Sequence, residues 1–235
     1  MTTFNRLDLS GLNGRLFVVG DIHGHFTLLE EKLIGVGFDK STDILISVGD
    51  LVDRGPESHL AGFYATRSWF YFVRGNHEVM CLSPHGGTPW HVSNGGGWFH
   101  EMEPDKRNRM IAILNDAPYI LEAVTPSGRL VGFVHASYPQ EYDGSYDWVR
   151  AQEYSQNPQA QDEILLWDRY MVGRARTAAA TGDKGADARA NFIIKNVDHV
   201  YFGHTPLREP LTVGNCTWLD TGAFATGNLT VLEIS

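Results

Sequence analysis

The stretch WFYFVRGNHEVM (residues 69–80) joins an apolar run directly to the polar cluster RGNHE (74–78). Its first half is typical of a buried strand, because it is short and rich in aromatic residues. Burying the polar groups that follow is costly unless each of them finds a partner or a ligand. The way this strand ends therefore raises the question of what these groups bind.

Four further apolar runs end in the same way. Each is short, rich in β-branched or aromatic residues, and followed at once by glycine or polar groups. The runs and their endings are RLFVV (15–19) before GDIHGH, DILISV (43–48) before GDLVDRGP, RLVGFV (129–134) before HAS, and DHVYF (198–202) before GHTP. We predict five buried strands whose carboxyl ends carry polar clusters.

Helical patterns separate the first three runs. Residues 26–34 place apolar side chains on one face, and residues 57–66 follow Pro56, which favours a first helical turn. Alternation of strand, helix and strand predicts parallel strands joined by helical crossovers. Ligands bind beyond the carboxyl ends of such strands, and the polar clusters are predicted to lie at those ends.

The second half of the chain has a different pattern. Residues 119–124 and 129–134 flank a TPSG turn and predict an antiparallel hairpin, and residues 211–234 read as three short strands joined by Gly/Asn turns. We expect one mixed sheet and one largely antiparallel sheet, packed together and flanked by helices. Residues 138–163 and 171–190 are polar or rich in small residues, which predicts loops.

Size and composition predict one globular domain over residues 1–235, with 43% hydrophobic and 20% charged residues. The formal net charge of −9 disfavours nonspecific nucleic-acid binding, and no apolar run approaches the about 20 residues of a membrane span. Cys81 and Cys216 form no disulfide framework, and the N-terminal residues show no signal-peptide pattern. We therefore expect a cytoplasmic protein with no nucleic-acid or membrane partner.

Carboxylate, imidazole and amide groups occur together just beyond the predicted strand ends. Such mixed oxygen and nitrogen donors suit Mn²⁺, Fe or Zn²⁺. A carboxylate shared by two ions is the arrangement of two-metal phosphate-ester hydrolysis, with Asp50 as the bridge. The predicted ligands are Asp21, His23, Asp50, Asn76, His135 and His204. Each alone also fits an ordinary turn or a buried structural residue, but a metal centre explains all the strand ends together.

Two arginines and a histidine stand beside the predicted ligands. Arg54 and Arg74 carry planar guanidinium groups that match phosphate oxygens, although an ordinary surface position or an ion pair with Asp53 or Glu78 is the alternative. Hydrolysis of a phosphate ester needs an acid that protonates the leaving group, and His77 is placed for this role. Asp53 is the carboxylate that would orient it. The alternative is a structural role for His77.

Three blocks, GDIHG (20–24), GDLVDRG (49–55) and RGNHE (74–78), resemble the signature motifs of the phosphoprotein phosphatase family of metallophosphatases. NGGGW (94–98) and FGHTP (202–206) are similar to its lambda-phage-like and bacterial serine/threonine protein phosphatase branch. The resemblance implies an α/β, calcineurin-like metallophosphoesterase fold. In that fold, two packed mixed β-sheets are flanked by helices in an α-β-β-α sandwich.

The resemblance also implies a role for each site residue. One ion would be held by Asp21, His23 and Asp50, and the other by Asp50, Asn76, His135 and His204. Arg54 and Arg74 match the phosphate-binding arginines of the family, and His77 matches its general acid, with Asp53 behind it. Arg169, in LLWDRY (165–170), is the candidate for a further arginine from the second half of the chain.

The predicted activity is dephosphorylation of phosphoserine and phosphothreonine in proteins, by a water activated by two divalent ions. Mn²⁺ is the expected metal, with Fe or Zn²⁺ as alternatives. One alternative activity is that of a dinucleoside tetraphosphate hydrolase of the same superfamily, and another is a noncatalytic metal-binding module.

Two residues favour the phosphatase. The tetraphosphate hydrolases typically lack the Asp of the DRG block and read GNHD, whereas this chain has Asp53 and Glu78. No predicted ligand, arginine or acid is missing, which argues against a noncatalytic module. The remaining histidines, including His85, His91 and His100, are interpreted as structural or solvent-exposed.

Overall fold

A computed structural model describes residues 2–83, 88–180 and 191–234. Two large sheets form the centre of the fold. Strands are numbered in chain order, and the four-stranded sheet contains, in spatial order, β12 (Val231–Glu233), β2 (Leu16–Val19), β3 (Ile44–Ser47) and β4 (Phe70–Phe72). Strands β2, β3 and β4 run parallel, as predicted, and β12 pairs antiparallel with β2.

The six-stranded sheet is also mixed. In spatial order its strands are β1 (Phe4–Asp8), β5 (Ile120–Val124), β6 (Leu130–Val134), β9 (His199–Phe202), β11 (Cys216–Trp218) and β10 (Leu211–Val213). The predicted β5–β6 hairpin is antiparallel, but β1–β5, β6–β9 and β9–β11 are parallel. The expectation of a largely antiparallel sheet is therefore wrong, because β9 joins β6 through a long crossover rather than a turn.

Helices cover the outer face of each sheet. They are α1 (Phe26–Gly35), α2 (Ala61–Ala65), α3 (Asn76–Leu82), α4 (Thr88–His91), α5 (Gly97–His100), α6 (Pro104–Asp116), α7 (Ala151–Gln156), α8 (Tyr170–Ala180) and α9 (Ala223–Thr226). Short 3₁₀ and π turns cover Ser58–Leu60, Val92–Gly96, Trp148–Arg150 and Ala160–Leu165. In the part of the chain that the structure describes, no helix is long and apolar enough to cross a membrane.

The two predicted loop regions contain regular structure. Residues 138–163 include α7, the two short turns near it, and β7 (Tyr146–Asp147), which pairs with β8 (Ile194–Lys195). The described part of 171–190 belongs to α8, whose residues Met171, Val172 and Ala175 are buried. Small residues favour a helix here because they allow it to pack closely against the sheet. Residues 181–190 and His85 lie outside the described residues.

Alternation along the strands explains the layers of the fold. Successive side chains of a strand point to opposite faces, so Val18 and Ile46 meet Phe133 of the other sheet in an apolar layer between the sheets. Their neighbours Phe17 and Leu45 pack on the opposite face, beneath the helices. A third apolar layer lies between the six-stranded sheet and α8. The result is the expected α-β-β-α sandwich.

Substitution Ile46→Ala tests the layer between the sheets. Ile46 is fully buried there, so we expect the free energy of unfolding to fall by about 2–5 kcal/mol in denaturant titrations. The matched control is Ile34→Ala on α1, where the isoleucine is 77% exposed, and its expected change is within about 0.5 kcal/mol. Equal effects of the two substitutions would contradict this assignment of the core.

Candidate metal centre

The carboxylate of Glu78 joins the loops that follow β3 and β4. Its Oε2 accepts hydrogen bonds from the backbone N–H groups of Asp50 (2.9 Å) and Gly75 (2.8 Å), and its Oε1 accepts one from Leu51 (2.8 Å). The side chain is fully buried. Burial, aided by the nearby Asp50 carboxylate, raises the pKa of Glu78 to about 7. The three hydrogen bonds to Glu78 hold both loops in one arrangement.

Asp50 lies at the centre of the polar cluster. Its Oδ1 accepts the backbone N–H of His77 at 3.0 Å. Its Oδ2 lies 3.4 Å from Nε2 of His135, 3.6 Å from Nε2 of His23 and 4.0 Å from Nε2 of His77. Burial opposes ionisation of Asp50, but the surrounding imidazoles outweigh it and hold its pKa below the usual range.

Backbone carbonyls fix the tautomers of two histidines. Nδ1 of His135 lies 2.8 Å from the carbonyl of Val48, and Nδ1 of His23 lies 3.0 Å from the carbonyl of Val52. Since a carbonyl only accepts, each Nδ1 carries the proton and each Nε2 is left with a lone pair towards Asp50. Burial lowers the pKa of both imidazoles, to about 3 for His23. Both are therefore neutral at pH 7, the form that binds metals.

Asn76 and His204 complete the cluster on the side of the six-stranded sheet. Oδ1 of Asn76 lies 2.9 Å from Nε2 of His135 and 3.0 Å from Nδ1 of His204. Burial lowers the pKa of His204 to about 3, and His135 adds to this effect. Nε of Arg169 lies 3.3 Å from Nε2 of His204, so the structure brings the arginine predicted from the second half of the chain to the site.

Three groups of possible donor atoms occur among the described residues, and two of them share Asp50, whereas the third contains Asp53, Cys81 and His91. Of the two that share Asp50, one contains His23, Asp50 and His77, the other contains Asp50, His135 and His204, and within each group the atoms lie within 4.8 Å of one another. Carboxylate oxygens with the imidazole nitrogens of His23, His135 and His204, whose pKa values burial lowers, form a donor set that suits divalent transition metals. The residues therefore fit two divalent ions, and Asp50, the predicted bridge, belongs to both donor groups.

Two further carboxylates border these groups. Asp21, a predicted ligand, accepts the backbone N–H of His204 at 3.0 Å instead of joining either group. Burial, together with the charges of Asp220 and Asp50, raises its pKa well above the usual range. Asp220 was missed in the sequence, although it follows β11 as the predicted ligands follow their strands, and burial raises its pKa to about 6. Buried carboxylates whose charges raise the pKa of a neighbouring carboxylate favour a bound cation.

Backbone strain concentrates at this site. Among the described residues, six non-glycine residues have positive φ, and only Asn196 of these lies elsewhere. The site residues are His23, Asp50, Asp53, Arg54 and His204. L-residues rarely adopt this conformation, and it persists where the surrounding structure enforces it, which is common at functional sites.

His77 bonds to the carboxylate predicted to orient it. Its Nδ1 lies 2.8 Å from Oδ2 of Asp53, and its Nε2 lies 3.2 Å from Nη2 of Arg54. Burial disfavours the imidazolium, but the carboxylates of Asp50 and Asp53 outweigh it and raise the pKa of His77. Nε2 accepts from the guanidinium of Arg54 in this arrangement, and it is the nitrogen that would carry the proton of an acid.

The two arginines predicted to bind phosphate lie in different surroundings. Arg54 is exposed, and its guanidinium stacks on the ring of Phe224 at 4.1 Å. Arg74 is 1% exposed, and its Nη2 donates to the carbonyls of Asn115 and Ala117, both at 2.8 Å, at the end of α6. These contacts correct the prediction for Arg74. Its fork satisfies the last carbonyls of a helix, a role that local sequence does not reveal.

Sequence reasoning also missed two side chains that contact Asp53. His91 and Trp98 both bond to its carboxylate, at 2.9 Å and 2.8 Å. Of the two interpretations of His91, structural or solvent-exposed, the structure agrees with the first, because His91 is fully buried. The NGGGW motif was the available signal, because it begins three residues after His91 and ends with Trp98.

Comparisons with known proteins agree with this geometry. The profile described as calcineurin-like phosphoesterase matches residues 14–208. Serine/threonine-protein phosphatase 1 of Salmonella typhimurium is 34% identical over 225 residues, covering 93% of this chain and 91% of the relative. The asymmetrical bis(5′-nucleosyl)-tetraphosphatase PrpE of Geobacillus thermodenitrificans is 30% identical over 239 residues, covering 92% and 89%. A crystal structure of a putative diadenosine tetraphosphatase has the same fold, with a TM-score of 0.62 at 22% identity, covering 98% of this chain and 97% of the other.

Substitution Gly75→Ala tests the spacing of the centre. A Cβ at this position would lie 2.2 Å from Oδ1 of Asp50, although the backbone itself, with φ of −94°, would accept alanine. We expect fewer Mn²⁺ ions per chain by elemental analysis after gel filtration, and a lower melting temperature. Gly97→Ala is the control, since no atom lies within 4 Å of its Cβ position. A Gly75→Ala protein with the metal content of the wild type would overturn the predicted crowding.

Proposed function

The chain belongs to the calcineurin-like phosphoesterase family, and we propose that it is a metal-dependent protein phosphatase acting on phosphoserine and phosphothreonine. One observation carries the proposal. His77 is bonded to Asp53 at 2.8 Å on one nitrogen, while its other nitrogen lies 4.0 Å from Asp50 and 3.2 Å from Arg54. An acid, a phosphate-binding cation and a metal-binding carboxylate thus share one small space.

Two Mn²⁺ ions are the proposed cofactor, with Fe and Zn²⁺ as alternatives, since the donor set mixes oxygen and imidazole nitrogen. The proposed ligands are Asp21, His23, Asp50, Asn76, His135 and His204. When bound, such ions lower the pKa of the attacking water and neutralise charge on the phosphate oxygens.

The side chains supply the remaining chemistry. Arg54 presents a planar fork towards His77, and Arg169 approaches from His204, so both are proposed to bind nonbridging phosphate oxygens. Imidazolium at His77 gives its Nε2 proton to the departing alkoxide as the P–O bond breaks. Asp53 holds the Nδ1–H of His77 and stabilises its charge. Arg74 is proposed to have a structural role, because its guanidinium group donates to backbone carbonyls.

A phosphoprotein substrate is supported by the named activity of the Salmonella relative, which aligns over nearly its whole length. The proposed compartment is the cytoplasm. Cys81 and Cys216 are both buried free thiols, as is usual where thiols are kept reduced.

A dinucleoside tetraphosphate hydrolase is the second candidate, and the PrpE relative is the observation in its favour. The identity to that relative is lower than to the phosphatase. Asp53 and Glu78, the two residues that favour the phosphatase, both have defined contacts: Asp53 bonds to His77, and Glu78 clamps the backbone of Asp50. These contacts support the phosphatase as the main proposal.

Rates on four substrates test the proposed function. Chelator-treated protein is given Mn²⁺ with a phosphothreonine peptide, a phosphotyrosine peptide, p-nitrophenyl phosphate or diadenosine tetraphosphate. We expect metal-dependent turnover of the phosphothreonine peptide above that of the dinucleotide. His77→Asn is expected to lower kcat by about 10²–10⁴. The control is His59→Asn, because His59 is exposed. Turnover of the dinucleotide alone would assign the chain to the second candidate.

The different surroundings of the two arginines give a separate prediction. Arg54→Ala is expected to lower kcat/KM by about 10²–10³ without changing the melting temperature, because the side chain is exposed. Arg74→Met is expected to cost about 1–3 kcal/mol of stability, since two carbonyls lose a buried donor. Kinetics and thermal melts of both variants provide the check. A stable Arg74→Met protein with impaired phosphate binding would restore the role predicted from sequence.

A further inference from the structure

The Asp53 carboxylate has more partners than the proposed reaction requires. It is fully buried. Oδ2 lies 2.8 Å from Nδ1 of His77 and 2.9 Å from Nε2 of His91, and Oδ1 accepts the indole N–H of Trp98 at 2.8 Å. Nε2 of His91 also lies 3.2 Å from Oδ1. Three side chains therefore hold both oxygens of the group that orients the acid.

His91 is itself held in one orientation. It is fully buried, and its Nδ1 lies 3.0 Å from Nε2 of the partly exposed His100. Because the Asp53 carboxylate accepts at Nε2, this nitrogen carries the proton, and Nδ1 accepts from the N–H of His100. The ring lies against Gly96, where any Cβ would come within 2.0 Å of its Cδ2. Ring and tautomer are both fixed by their contacts.

Cys81 is a further titratable group beside this ring among the described residues. Its Sγ lies 3.7 Å from Nε2 of His91. Burial raises the pKa of the thiol well above its usual range, and the charge of Asp53 acts in the same direction. The thiol therefore stays protonated, and Asp53 remains the group that His91 serves.

The chain between His91 and Trp98 explains how both reach Asp53. Residues Val92–Gly96 form a π turn in which Gly95 has φ of +97°. A Cβ on Gly95 would lie 2.5 Å from the backbone nitrogen of Arg54, and that nitrogen donates to the carbonyl of Gly95 at 3.4 Å. The NGGGW segment therefore packs against the backbone at Asp53 and Arg54. Both residues have positive φ, and both contact the proposed acid, His77.

We propose that His91 is a positioning residue for catalysis: it holds the Asp53 carboxylate in the orientation that aims His77 at the leaving group. The inference rests on the proposed function only in taking His77 as the proton donor. Without His91, Asp53 keeps Trp98 on Oδ1 and His77 on Oδ2, but Oδ2 loses its second partner, so we expect the carboxylate to turn away from the orientation seen here. The ring of His77 is then no longer held in the orientation that directs Nε2 at the leaving group, while phosphate binding by Arg54 remains.

Dependence on the leaving group separates this role from a merely structural one. A departing alkoxide or phenoxide of high basicity needs the proton of His77, whereas p-nitrophenoxide leaves with little help. The assay compares a phosphothreonine peptide, phenyl phosphate and p-nitrophenyl phosphate in wild type, His91→Leu, His91→Gln and His199→Gln. His199 is a suitable control, because it is a hydrogen-bonded histidine, 2.8 Å from Thr217 Oγ1, in the six-stranded sheet.

We expect His91→Leu to lower kcat about 10- to 100-fold for the peptide and phenyl phosphate, but less than about threefold for p-nitrophenyl phosphate, with KM nearly unchanged. His91→Gln is expected to recover most of kcat, since its amide N–H can donate to Asp53. His199→Gln should match the wild type. Equal losses on all three substrates, or no loss, would overturn the proposal.

Thermal melts and metal content accompany every variant. Should His91→Leu not fold, His91→Asn decides in its place, because its shorter side chain is polar yet does not reach Asp53, and the same leaving-group pattern is expected. A wild type that hydrolyses the aryl phosphates but not the peptide defeats the proposed function alone. In that case, the loss of kcat on phenyl phosphate, compared with the loss on p-nitrophenyl phosphate, still decides the role of His91.

Discussion

The arrangement of the centre depends on one buried carboxylate, that of Glu78, which is not among the proposed metal ligands. Glu78 accepts three backbone N–H groups from two loops, and such charge-assisted bonds are among the stronger ones in proteins. Through it, the end of β3, with Asp50, and the end of β4, with Asn76 and His77, form one rigid unit. The distances within this unit then depend little on the exposed loops around it.

The strand ends could be predicted because each is a local signal. An apolar run of four to six residues followed by glycine and polar groups is visible without knowledge of any partner. Parallel strands bring their carboxyl ends to one edge, so the closeness of Asp50 and Asn76, which follow β3 and β4 of one sheet, was expected from the topology. Neither step required the register of the sheets, which is why both succeeded from sequence alone.

The parts that could not be predicted depend on partners far along the chain. Asp53 and His91 are 38 residues apart, Asp53 and Trp98 are 45 apart, and Arg74 bonds to a carbonyl 41 residues away. A motif describes the type of side chain but not the direction in which it points. Arg74 therefore resembled a phosphate-binding arginine, whereas its guanidinium group donates to backbone carbonyls at the end of α6. Strand β1 escaped notice because its residues are half-buried or exposed and carry no alternating apolar pattern.

Five residues of the site have strained backbone conformations, and this limits how the protein can be made more stable. Each costs on the order of 1–3 kcal/mol, a large share of the margin by which a domain stays folded. Glycine or asparagine at these positions would relieve the strain, and selection for heat resistance alone would favour such changes. These residues include three proposed metal ligands, the proposed phosphate-binding Arg54 and the carboxylate proposed to orient His77, so we expect relief of strain to cost activity. Thermostable variants of this protein must therefore gain their stability elsewhere in the fold.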